Sequence, residues 1–105
     1  MKEQKERENK MKTLKVSAQS SVKAVAGAIA HTVEEENKTE ITAIGAGAVN
    51  QMIKAMATAR GYLAARGIDI VCIPMFGTTM IGEAERKIIK VLVVKTEEEE
   101  WKTLK

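Results

Sequence analysis

Hydrophobic and polar positions alternate with two different periods along this chain, and the period changes mark its elements. Leu14-Lys-Val-Ser17 alternates every second residue, which places Leu14 and Val16 on one face of a short strand. Val22, Val25, Ala26, Ile29 and Val33 then recur at the spacing of one helical stripe, and Ser20 or Ser21 supplies the N-cap. Glu34-Glu-Glu-Asn-Lys-Thr39 is a polar exit leading to a second strand over Glu40–Ile44. A second helix is predicted from Ala48 to about Leu63, with Val49, Met52, Ile53 and Met56 inward and Gly61 and Gly67 bracketing its end. Ile68-Asp-Ile-Val-Cys-Ile73 is nearly continuous β-former. Pro74 is expected to close that strand, because proline cannot continue a central ladder. Phe76–Glu85 is expected to be a turn or hairpin arm, and Arg86–Lys95 a last strand rich in Ile and Val. The order β-α-β-α-β-β predicts an α/β two-layer sandwich in which two helices cover a mixed four-stranded sheet.

Both ends fall outside this pattern. Residues 1–12 form a charged extension with no apolar face, in which Met11 offers an alternative start, and residues 96–105 form an acidic tail around Trp101. One domain over residues 13–95 is expected between them. The formal net charge of +3 is spread unevenly. Residues 1–13 hold five Lys/Arg against three Glu, 14–95 hold ten against seven Asp/Glu, and 96–105 hold two Lys against four Glu. The folded part is therefore only mildly basic. No apolar run approaches the roughly 20 residues that span a bilayer, so no membrane contact is expected. The single Cys72 excludes an intrachain disulfide and suits a cytoplasmic location.

The densest local signal is Thr42-Ala-Ile-Gly-Ala-Gly-Ala-Val-Asn-Gln51, an apolar strand running through Gly45 and Gly47 into a helix whose first turn carries Asn50 and Gln51. Its third glycine position holds Asn50, so it is not the dinucleotide fingerprint. A tight strand-to-helix turn with close packing accounts for it; an anion-binding turn formed by Gly45, Gly47, Asn50 and Gln51 is the alternative. Catalytic chemistry finds little foothold. His31 lies about half a turn from the buried stripe, Cys72 sits within an apolar strand, and one His with one Cys cannot build a structural zinc site. No catalytic residue, metal or cofactor is expected.

From Leu14 to Lys95 the chain resembles the stage V sporulation protein S family. The residues that carry the likeness are Leu14-Lys-Val-Ser-Ala-Gln-Ser-Ser21, Val25-Ala-Gly-Ala-Ile-Ala30, Ala43-Ile-Gly-Ala-Gly-Ala-Val-Asn-Gln51, Lys54-Ala55, Ala59-Arg-Gly61 and Val71-Cys-Ile-Pro74. The resemblance implies an Alba-like fold with sheet order 1-2-4-3, strand 4 antiparallel to the rest, a role tied to sporulation, and nucleic-acid binding. Alba-type proteins carry a basic Lys-Pro-Val segment where Lys23-Ala24-Val25 stands here without the proline. They place arginines where this chain has Gly45 and Gly47. Their long basic hairpin corresponds to Gly77–Glu85, which looks short and holds two acids, with Arg86 and Lys87 at its base.

Together these features predict a homodimer that contacts the phosphates of DNA or RNA with little sequence preference and is not an enzyme. Lys15, Lys23, Lys54, Arg60, Arg86, Lys87 and Lys90 are the cations to test for a shared face. Two alternatives stand beside it. One is an assembly protein that uses the small residues of the second helix, Ala46, Ala48, Ala55, Ala57 and Ala59, for close approach to a partner, with exposed Met and Ile residues of the Met75–Ile81 arm adding contact surface. The other is a small-ligand binder that holds a phosphate at the Gly45–Asn50 turn.

Overall fold

A computed structural model describes residues 11–97. Most of the charged extension and of the acidic tail, Trp101 included, lies outside the described residues. The order is β1 (Thr13–Val16), α1 (Val22–Glu36), β2 (Lys38–Ala43), α2 (Ala46–Ala64), β3 (Ile68–Ile81) and β4 (Ala84–Glu97). The strands form one sheet in the order β1-β2-β4-β3, with β1 and β2 parallel and β4 antiparallel to both β2 and β3.

Both helices lie on one face of the sheet, where Val16, Ile41, Ala43, Val91, Val93 and Ile70 meet Ile29, Val33, Met52 and Leu63 in a single core. Ser21 caps α1 by accepting a hydrogen bond from the Ala24 N–H, as the sequence predicts. The polar exit is shorter than expected. α1 runs to Glu36, and Asn37 alone, at φ 70°, turns the chain into β2. Its carbonyl then accepts the Lys95 N–H, tying the helix end to β4.

Three expectations are corrected. Pro74 does not close β3, which continues to Ile81. β3 is the outer strand of the sheet, so a missing N–H on its free side removes no ladder bond. The hairpin is therefore long. β2 pairs with β4 only through Ala43–Ile89, and beyond that point β3 and β4 continue alone as a two-stranded arm from Gly77–Ile88 to Ile81–Ala84. Ile53, expected inward, is 52 % exposed, because alanines take the inner face of α2. Ala48, Ala55 and Ala59 are buried against a core that includes Ala26 and Ala30 of α1, and such small side chains let the two helices approach closely. Gly61 and Gly67 bracket the end of α2 as expected, Gly61 in its last turn and Gly67, at φ 71°, in the turn into β3.

Candidate nucleic-acid interface

The two glycines before α2 serve different purposes. Gly45 has φ 90°, a conformation that side-chain-bearing residues rarely adopt. A Cβ added at Gly47 would lie 3.0 Å from the Cβ of Ala18, so this glycine lets α2 pack directly on the loop between β1 and α1. Gln51 reinforces that contact by donating from Nε2 to the Ser20 carbonyl at 2.9 Å. The loop itself is tightly bonded. The Ser17 N–H donates to Ser20 Oγ, the Gln19 N–H to Ser17 Oγ, and the Ser20 N–H to the Ser17 carbonyl. Of the four residues of the anion-turn alternative, three are thus engaged in shaping and holding the fold, and Asn50 is exposed.

Arg60 is likewise engaged. Its Nε and Nη2 donate to the two carboxylate oxygens of Asp69 at 2.8 and 3.2 Å, and Asp69, 5 % exposed, also accepts the Ile70 N–H. This clamp joins the last turns of α2 to the start of β3. Cys72 packs half-buried against the core beside it. Burial pushes its thiol pKa up, the nearby Asp69 charge adds to that rise, and Arg60 opposes it. His31 is exposed, as its position off the stripe predicts.

The remaining cations divide between the two sides of the molecule. Lys15 and Lys90 stand on the open face of the sheet. Lys90 reaches Glu40 at 3.8 Å, and Glu40 also accepts from Thr13 Oγ1. Arg86 shares that face by alternation along β4. Lys23 lies in the first turn of α1, Lys54 is exposed on α2, and both belong to the helix layer. Lys87 alternates with Arg86 and so faces the helix side of the arm, with its Nζ 5.1 Å from the ring centroid of Phe76. Lys15, Lys23, Lys54, Arg86 and Lys87 form no ion pair with any described residue. One chain therefore does not gather every candidate onto a single face. It presents Lys23, Lys54 and Lys87 on one side, and Lys15, Lys90 and Arg86 on the other.

The exposed Met75, Met80 and Ile81 agree with the contact surface expected of the arm, whereas sequence reasoning missed Val71 and Ile73 beside these cations. Val71, Ile73 and Met75 point from β3 onto the open face, each more than two-fifths exposed, next to Leu92 and Val94 of β4. At the base of the arm, on the helix side, Phe76 is 73 % exposed. The alternation of Val71, Ile73 and Met75 is visible in the sequence, but which face the helices cover is not. Among the described residues no helix is long and apolar enough to cross a membrane, and no group of three or more His, Cys, Asp or Glu could hold a metal ion.

The order of elements, the sheet order 1-2-4-3 and the small-residue turn before α2 all coincide with what the resemblance implies. The family model of stage V sporulation protein S matches residues 12–96, the whole sheet and both helices apart from the last residue of β4. The chain belongs to the stage V sporulation protein S family and is a sporulation-related protein.

Proposed function

We propose that this protein is a homodimeric nucleic-acid-binding protein of the cytoplasm that neutralises phosphates with little sequence preference and performs no catalysis. The observation that carries the proposal is the trio Lys23, Lys54 and Lys87, exposed on the helix side with no acidic partner among the described residues. Cations left unpaired are free to displace the counterions of a nucleic acid. Lys87 beside Phe76 adds an exposed ring flanked by charge, on which an unpaired base can stack. Glu83 and Glu85 temper the arm, so binding is expected to be weak and strongly salt-dependent.

The open face supports the dimer. Val71, Ile73 and Met75 form an exposed apolar row along the outer strand, a feature that soluble proteins commonly cover. Pro74 interrupts any continuous strand-to-strand ladder at that edge, so a second copy would cover the row by face packing. Such a contact leaves Lys23, Lys54 and Lys87 of both chains outward. The row equally suits the assembly-protein alternative, whereas the small residues of α2 favour it less, since Ala48, Ala55 and Ala59 are already buried within the chain.

Titration of labelled duplex DNA and of single-stranded RNA at about 50 and about 200 mM salt tests this, because each phosphate contact steepens the fall of affinity with salt. Binding at the lower concentration that weakens at the higher is expected. Absence of binding at low salt, or binding indifferent to salt, contradicts it. Light scattering of the parent and of Ile73→Lys tests the dimer, which the variant is expected to dissociate.

A further inference from the structure

Past Gly77 the open face of the sheet changes from a ridge into a cleft. β2 leaves β4 after Ala43–Ile89 and turns at Ile44 into α2, while β3 and β4 continue as the arm. The wedge between them is a cavity of about 580 Å³, with residues 15–19 and 42–44 on one side and residues 79–81 and Ile88 on the other. That volume lies within the range of small-molecule sites, and the position, at the carboxyl ends of the parallel strands β1 and β2, is where ligands of open α/β sheets bind.

The lining joins two kinds of surface. Lys15 brings an ammonium group, and Ser17, Thr42 and Thr79 bring hydroxyls. Ile44, Ile81 and Ile88 bring an apolar wall. Among the described residues no acidic side chain lines the cleft. Glu40, two pairs along the β1–β2 ladder from Lys15, is already engaged by Thr13 and Lys90. Gly77 contributes by its lack of a side chain. A Cβ there would meet Ile88 Cγ1 at 3.2 Å, so the glycine leaves room for the Ile88 side chain in the wall, where it is 8 % exposed. The rim at Ser17–Ser20 is fixed by the serine bonds, by Gln51 and by the Ala18–Gly47 contact, so the polar side is organised before any ligand arrives.

We propose that this cleft binds a small organic anion, a carboxylate or phosphate group held by Lys15 and the flanking hydroxyls with an apolar body resting on Ile44, Ile81 and Ile88. The site goes beyond the nucleic-acid function and does not depend on it, since Lys23, Lys54 and Lys87 lie on the other side of the molecule. It also lies beyond the Val71–Met75 row, at the opposite end of β3.

Titration of the isotope-labelled full chain with hexanoate, phenyl phosphate, inorganic phosphate and hexanol, followed by amide NMR shifts, tests the proposal. Saturable shifts confined to residues 15–19, 42–44 and 79–81 are expected with hexanoate or phenyl phosphate, and the tighter of the two tells carboxylate from phosphate. Lys15→Gln, which removes a charge-assisted hydrogen bond, and Ile81→Asp, which sets a like charge against the anion, both at exposed positions, should each weaken binding about tenfold or more. Lys54→Ala should leave it unchanged while weakening binding to DNA. The amide spectra themselves report whether each variant is folded. Shifts absent with both anions, shifts that survive Lys15→Gln, or equal binding of hexanol or of inorganic phosphate would overturn the assignment.

Discussion

The body of the molecule and its arm share the strands β3 and β4, yet they obey different rules. In the body, β2 and β4 are covered by two helices, and Ile41, Val93 and Ile29 are completely buried. Beyond Ala43–Ile89 the same β4, now paired with β3 alone, carries Glu85, Arg86 and Lys87, all exposed. An isolated two-stranded hairpin is marginally stable in water, so the arm owes its form to being a continuation of strands anchored in the body. The difference separates burial from exposure: buried area holds the body together, and the arm leaves its charged groups exposed.

The sharpest way to break this division is to compare large-to-small changes in the two regions. Ile41→Ala or Ile29→Ala should cost about 2–5 kcal/mol in urea unfolding. Met80→Ala in the arm, where the side chain is 61 % exposed, should change stability by about 0.5 kcal/mol or less. A large loss from the arm variant would show that the arm belongs to the cooperative core. Next in size is Gly47→Val, which must displace Ala18 and loosen the loop between β1 and α1. A loss of about 1–3 kcal/mol is expected, measured in the same way. Arg60→Ala removes both bonds to a buried carboxylate; since the arginine itself is 42 % exposed, a loss of about 1–2 kcal/mol is expected.

The smallest effect concerns Cys72. Its pKa is raised by burial and by Asp69, so the thiol should alkylate with iodoacetamide more slowly than a free cysteine at mildly alkaline pH. The stability linked to that raised pKa is fully present below the ordinary thiol value and is lost as pH rises through the raised one. Because Arg60 opposes the rise, Arg60→Ala should move the onset of alkylation to still higher pH, provided the measurement is made under conditions where the variant stays folded.

The division also separates what was legible in the sequence from what was not. The stripe Val22, Val25, Ala26, Ile29, Val33 and the Ser21 cap were readable because they are local, and the structure places them as expected. Pro74 misled because its effect depends on strand position: it is harmful in a central strand and harmless on the free side of β3. The order 1-2-4-3 already puts β3 at the edge, so a reading that combined the two would have continued the strand. Ile53 misled because large side chains dominate a periodicity, whereas alanines that fit against a neighbouring helix decided which face of α2 is inner. The partners of the candidate site residues were hidden for a different reason. Gly47 with Ala18, Gln51 with Ser20 and Lys15 with the arm are brought together only by the tertiary fold, and spacing along the chain does not encode such meetings.

The central claim, that the arm serves contact rather than stability, is tested most directly by Arg86→Ala/Lys87→Ala. Its unfolding midpoint and the salt dependence of its binding to duplex DNA are to be measured beside the parent. An unchanged midpoint is expected, with weaker binding to all sequences alike and a salt slope smaller by about one unit for each phosphate that the variant no longer neutralises. A variant that binds with the parent's affinity and slope, or that unfolds markedly more easily, would contradict it.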